Sequence, residues 1–360
     1  MLVAWVMLGV TMLAQVPAAP YALFVPSQYR ADRAWPLLMA FHPSARGQAF
    51  VDLYRDAAES YGYIIVASNI SRNGPWGPSL QAATEMAQDA GARFSIDPNR
   101  VYTTGFSGGA RVAMELALQS GKIAGVIASG AGFLDAKVRK TTTFDVAATI
   151  GLDDFNYTEL RALDRGVSSP HRVFYFDGAH TLPPAPVARQ ALEWLELRAI
   201  VRGLRPRDEA TIERWWQARL AAVEARQSPH AIATGLAELA EDFGPLRDTR
   251  EVANRAKVML DSAVVKRAQA RERDLEAAET RQLMEIVTLE SGLGSDDART
   301  RSLLDLRRLL KDIHARASVD TNSPERRSAR RVLVAVTSAA SERVKDAEYL
   351  AMMREFRVLR

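Results

Sequence analysis

At 360 residues, 48% of them hydrophobic, the chain is long enough for two domains, each with its own core. Its 47 Lys and Arg are nearly matched by 43 Asp and Glu, and only "SPERRSARR" approaches a basic cluster, which argues against a nucleic-acid partner. The absence of cysteine excludes disulfides, thiolate metal sites and a cysteine nucleophile, and the five histidines show no metal-ligand spacing.

The first stretch is "MLVAWVMLGVTMLAQVPAAP". Its apolar run from Leu2 to Ala14 has the length of a signal-peptide core and is too short to span a bilayer. Small residues follow, with cleavage expected after Ala18 or Ala19. Residues 1–19 therefore read as a signal peptide, which implies export to the periplasm or exterior and membrane contact only through that segment. The basic residues that usually open such a signal are missing, so a buried first strand or helix is the alternative.

From residue 20 to 203, short β-rich runs alternate with helical ones. The strands are "YALFVP", "PLLMAFH", "YIIVASN", "VYTTGF", "GVIASG", "FDVAATIG" and "HRVFYFDG", with helices such as "FVDLYRDAAESYG" and "ARVAMELALQSG" between them. Continuous apolar strands separated by helices predict an α/β domain built on a doubly wound, mostly parallel sheet covered on both faces. Seventeen of the 21 glycines and 12 of the 16 prolines lie before residue 204, as the turns of such a fold require.

After "RGLRPRD" the periodicity becomes purely helical. In residues 204–360, "IERWWQARLAAV" puts Ile212, Trp215 or Trp216, Leu220 and Val223 on one face, and "IATGLAELAEDF" repeats the pattern. Asp248 and Glu251 are spaced as a capping box, and Ser323 with Pro324 forms a second helix start. These features predict an all-α domain of helical hairpins, faintly like tetratricopeptide repeats but without their 34-residue period. The apolar stripes are core, and no chemistry is expected in this half.

Chemistry is concentrated at "VYTTGFSGGARVAM". Gly105, Ser107 and Gly109 fit G-x-S-x-G at a strand-to-helix junction, where small neighbours let a serine project beyond the strand end. The Gly108 N–H would face a developing oxyanion. Later strand ends supply an acid, Asp153 or Asp154, and a base, His180, in the chain order Ser, Asp, His.

In these places residues 21 to about 200 resemble secreted α/β-hydrolases of the polyhydroxybutyrate-depolymerase, feruloyl-esterase and dienelactone-hydrolase groups. "SIDPNRVYTTGFSGGA" is similar to their approach to the nucleophile, "GLDD" to their acid turn and "FDGAHTLPP" to their histidine turn. The resemblance selects Asp154 over Asp153 and implies a serine esterase with a Ser107, His180, Asp154 triad, a covalent acyl-enzyme and no cofactor or metal. Where such enzymes carry His-Gly-x, this chain has His42-Pro43-Ser44, so the second oxyanion donor falls to the Ser44 amide.

Trp76, Phe106, Phe155 and Tyr157 are candidate walls of the substrate pocket. The short segment "LDAKVRKTTT", where many relatives insert a cap, predicts an open cleft suited to a bulky or surface-presented ester. Two alternatives stand beside the esterase: an inactive hydrolase scaffold whose helical domain binds a protein partner, and a peptidase on the same fold.

Overall fold

A computed structural model of the chain describes residues 20–135, 141–338 and 340–357. The expected signal peptide and residues 136–140 of the short segment "LDAKVRKTTT" lie outside the described residues. The strands are β1 (Tyr21–Phe24), β2 (Trp35–Phe41), β3 (Ile64–Ser68), β4 (Ile96–Phe106), β5 (Gly125–Ser129), β6 (Asp145–Gly151) and β7 (His171–Phe176). Five helices accompany them: α1 (Gly47–Tyr61), α2 (Trp76–Arg93), α3 (Gly108–Ser120), α4 (Tyr157–Gly166) and α5 (Ala185–Val201).

All seven strands form one sheet in the order β1-β3-β2-β4-β5-β6-β7. Only β1 runs antiparallel, against β3; the remaining pairs are parallel. Strand side chains alternate between faces, and both faces are apolar. Leu37, Met39 and Phe41 of β2 join a core with Ala83 and Met86 of α2, Val112 of α3 and Leu160 of α4. Leu38 and Ala40 point the other way, into a core with Phe50 and Tyr54 of α1 and Leu192 and Leu195 of α5. Every residue of β2 and β6 is buried as a result.

One strand departs from expectation. β4 begins at Ile96 rather than Val101, and its register against β2 slips between the Trp35–Ile96 and Leu37–Val101 pairs. The irregularity takes in Pro98, which cannot donate to a ladder.

The helical region contains α6 (Glu209–Glu224), α7 (Pro229–Phe243), α8 (Arg250–Asp261), α9 (Ala263–Gly292), α10 (Asp296–Ala317), α11 (Pro324–Ser338), α12 (Ala340–Arg343) and α13 (Ala347–Glu355). Ser323 Oγ accepts from the Arg326 N–H at the start of α11, as its sequence predicts. The capping box at Asp248 does not form. Helix α8 starts one residue later, after Thr249, and the Asp248 carboxylate accepts instead from the backbone and side chain of Arg250.

The two halves do not keep separate cores. Leu197 and Ile200 of α5 pack with Ile212, Trp215 and Trp216 of α6 and with Leu239 and Phe243 of α7. Buried Asp242 of α7 accepts from Arg172 of β7 at 2.7 Å and from Trp194 of α5 at 2.9 Å. A sequence reading assigns those apolar stripes to the helical half alone, because periodicity identifies a buried face but not the partner that buries it.

Candidate active site

The site is built at the carboxyl ends of β4, β6 and β7. Strand β4 turns into α3 at Ser107, whose φ of 53° and ψ of −122° lie in a region that side chains rarely occupy. The turn closes so tightly that a Cβ on Gly105 would stand 2.1 Å from the Gly109 carbonyl oxygen. One on Gly109 would stand 2.0 Å from the Phe41 carbonyl oxygen at the end of β2. The glycines flanking the serine are therefore steric requirements of the turn.

His180 reaches across from the turn after β7. Its Nε2 is 2.9 Å from Ser107 Oγ, and its Nδ1 is 2.9 Å from both carboxylate oxygens of Asp154. An ionised carboxylate only accepts, so Nδ1 carries the proton and Nε2 is left to accept from the serine hydroxyl. Asp154 is 1% exposed and also accepts from the Asn156 N–H at 2.8 Å. Asp153 points away from the triad toward α11, where its carboxylate pairs with Arg330 at 3.3 Å. The structure thus brings together Ser107, His180 and Asp154, and leaves Asp153 apart from them.

The imidazole is held between two rings, with Phe155 at 4.3 Å and Phe106 at 4.7 Å between centroids. Trp76 opens α2, and its ring edge would lie 3.4 Å from a Cβ on Gly108, so it borders the elbow. Tyr157 lies elsewhere. It is buried, its hydroxyl donates to Glu272 of α9 at 3.2 Å, and it borders a cavity of about 880 Å³ between the sheet edge and the helical region that neither Ser107 nor His180 lines.

The expected oxyanion donors differ in state. No described residue accepts from the Gly108 N–H, which stands at the open N-terminal end of α3. The Ser44 N–H, in contrast, donates to His42 Nδ1 at 3.0 Å. Ser44 is therefore not the free donor that its sequence position suggests. The His42 side chain takes the amide two residues on, much as an Asx turn does. Burial, aided by the neighbouring Arg46 guanidinium, pushes His42 down to about 4, so it is neutral at ordinary pH.

Two contributors escape the sequence reading. Gly130, after β5, has a φ of 66°, and a Cβ there would be 3.3 Å from both Asp154 Oδ2 and His180 Cε1. Asn73 places its side-chain oxygen against Gly108, so close that a Cβ at Gly108 would meet it at 1.8 Å. Neither sits in a spacing motif. Gly130 ends an apolar strand like many glycines, and Asn73 comes close only because its loop folds back onto Pro43.

The sheet order, its single antiparallel edge strand and a strained serine turn at the sheet's carboxyl edge decide the architecture. From β1 to α5 the chain has the α/β-hydrolase fold. No family model matches the sequence, and no curated protein does. Several solved structures match this α/β-hydrolase half. A thermostable esterase matches at 18% identity and a TM-score of 0.38, over 49% of this chain and 58% of its own. Est1E from Butyrivibrio proteoclasticus, solved with ferulic acid bound, matches at 11% and 0.40, over 50% of this chain and 94% of its own. An S-formylglutathione hydrolase from Agrobacterium tumefaciens matches at 15% and 0.39, over 49% of this chain and 88% of its own.

Proposed function

We propose that this protein is a serine hydrolase, a carboxylic ester hydrolase acting through a covalent acyl-enzyme. The observation that carries the proposal is the continuous relay from Ser107 Oγ through His180 to Asp154, each link at 2.9 Å, on a backbone turn strained to expose the serine. Oγ attacks the acyl carbonyl while its proton passes to His180 Nε2, and the imidazolium is stabilised by Asp154. Collapse of the tetrahedral intermediate breaks the ester bond, and the leaving alkoxide takes the proton from His180. Water then repeats the sequence, releasing the acid and restoring the serine.

The oxyanion rests on the Gly108 amide. The Ser44 amide, engaged by His42, does not add a second donor, and losing one oxyanion donor is worth about 10²–10³ in kcat, so turnover is slow. The substrate class is a bulky or surface-presented ester, since Ser107 is partly exposed at the sheet edge. Residues 20–203 form the catalytic domain, 204–360 a helical domain, and the opening segment directs export.

The test is labelling of the purified protein with a fluorophosphonate probe, alongside hydrolysis of p-nitrophenyl acetate and butyrate. Wild type should label, and Ser107→Ala and His180→Ala should each lose labelling and about 10⁴-fold or more of kcat. A folded wild type that neither labels nor hydrolyses either ester would sink the proposal.

A further inference from the structure

The turns carrying Asp154 and His180 lock onto each other. The Leu152 N–H donates to the Phe176 carbonyl and the Asp153 N–H to the Gly178 carbonyl, both at 2.9 Å. The fit leaves no room for a side chain at Gly151, where a Cβ would be 2.4 Å from the Gly178 carbonyl oxygen. Outside this joint lies one face of α11. Arg327, Arg330 and Arg331, spaced i, i+3 and i+4, all point at it.

Arg331 makes the central contact. It is 7% exposed, its Nη1 donates to the Leu152 carbonyl at 2.7 Å, and its guanidinium lies 4.2 Å over the Tyr157 ring. Glu279 of α9 accepts from its Nε at 3.0 Å and orients the fork. Arg330 pairs with Asp153 at 3.3 Å, and Arg327 donates to Asp177, three residues before His180, at 2.6 Å. One helical face therefore meets the backbone before Asp154, the carboxylate beside it and the turn of the base.

We infer that α11 is the support that holds the acid and base turns in register, with Arg331 as a positioning residue for Asp154. The helical region is then part of the hydrolytic machinery rather than an appended module, a catalytic consequence that rests on the function proposed above. The support has a physical basis. A guanidinium with fixed donors on a backbone carbonyl, held by a buried carboxylate, limits the turn's motion without touching the reacting atoms.

Hydrogen exchange, read by mass spectrometry on the full chain, tests the inference without relying on activity. In Arg331→Ala, and in Arg327→Ala/Arg330→Ala, amides at Leu152 and Asp153 should exchange about tenfold faster, while those of β4 and α3 around Ser107 stay as in wild type. Because Arg331→Ala leaves Glu279 buried and unpaired, Glu279→Gln/Arg331→Met supplies a variant without that penalty. The same variants should lose about tenfold in kcat on p-nitrophenyl butyrate, with KM within about twofold, since a misplaced relay weakens the transition state and leaves binding alone.

Unchanged exchange at Leu152 and Asp153 in all folded variants would overturn the support role. A wild type that labels and turns over while the variants match it in kcat would do the same. If wild type hydrolyses nothing, the serine hydrolase falls, and the exchange rates still decide whether α11 holds the turns.

Discussion

At the scale of single residues, the site depends on backbone conformations and close approaches as much as on reactive side chains. Ser107 holds a positive φ because β4 and α3 are each anchored by their own cores, leaving the connecting residue to take the strain. Gly105→Ala tests this. Its Cβ would overlap the Gly109 carbonyl, so the turn must open or the strand must shift. The variant should lose about 3 kcal/mol of stability by urea denaturation, and probe labelling should disappear even where folded protein remains. Retained labelling at wild-type stability would show that the turn is looser than its contacts imply. "GFSGG" announces the turn in sequence, yet Gly130 and Asn73, which equally shape the surroundings, carry no motif because their roles arise from chain segments meeting in space.

At the scale of elements, the sheet places the triad and buried charge secures the neighbouring helices. Strand ends at β4, β6 and β7 deliver the serine, the acid and the base to one edge, so parallel pairing itself does most of the positioning. Asp242 on α7 does comparable work outside the site. Burial pushes its carboxyl up, but the Arg219 and Arg172 guanidiniums outweigh burial and leave it below the usual carboxylate value. A depressed native value means that this stabilisation is present at neutral pH and is lost as pH falls through it. Asp242→Asn should therefore cost about 3 kcal/mol at pH 7, measured by chemical denaturation, and should flatten the acid limb of the stability profile. Equal stability of the two proteins at pH 7 would deny the network its structural role. Most elements follow from local pattern, whereas the early start of β4 and the failed capping box at Asp248 do not. In both cases tertiary pairing and a competing side chain set the boundary.

At the scale of the whole molecule, the two halves behave as one structure. Leu197 and Ile200 share a core with the tryptophans of α6, Asp242 bridges to β7, and α11 reaches the turns of the triad. Calorimetry should accordingly record a single unfolding transition, with calorimetric and van't Hoff enthalpies in agreement. Two resolved transitions would mean that these contacts are too weak to couple the halves.

The sequence by itself determined the α/β and all-helical halves, the strand positions, the elbow glycines and the candidates Ser107, Asp154 and His180, because periodicity and turn chemistry are local properties written residue by residue. Only the tertiary structure decided which faces bury one another, that the Ser44 amide is spent on His42, that Tyr157 faces α9, and that three arginines of α11 close over the acid and base turns. Those facts depend on residues distant in the chain arriving at the same place, and no local pattern encodes that arrival.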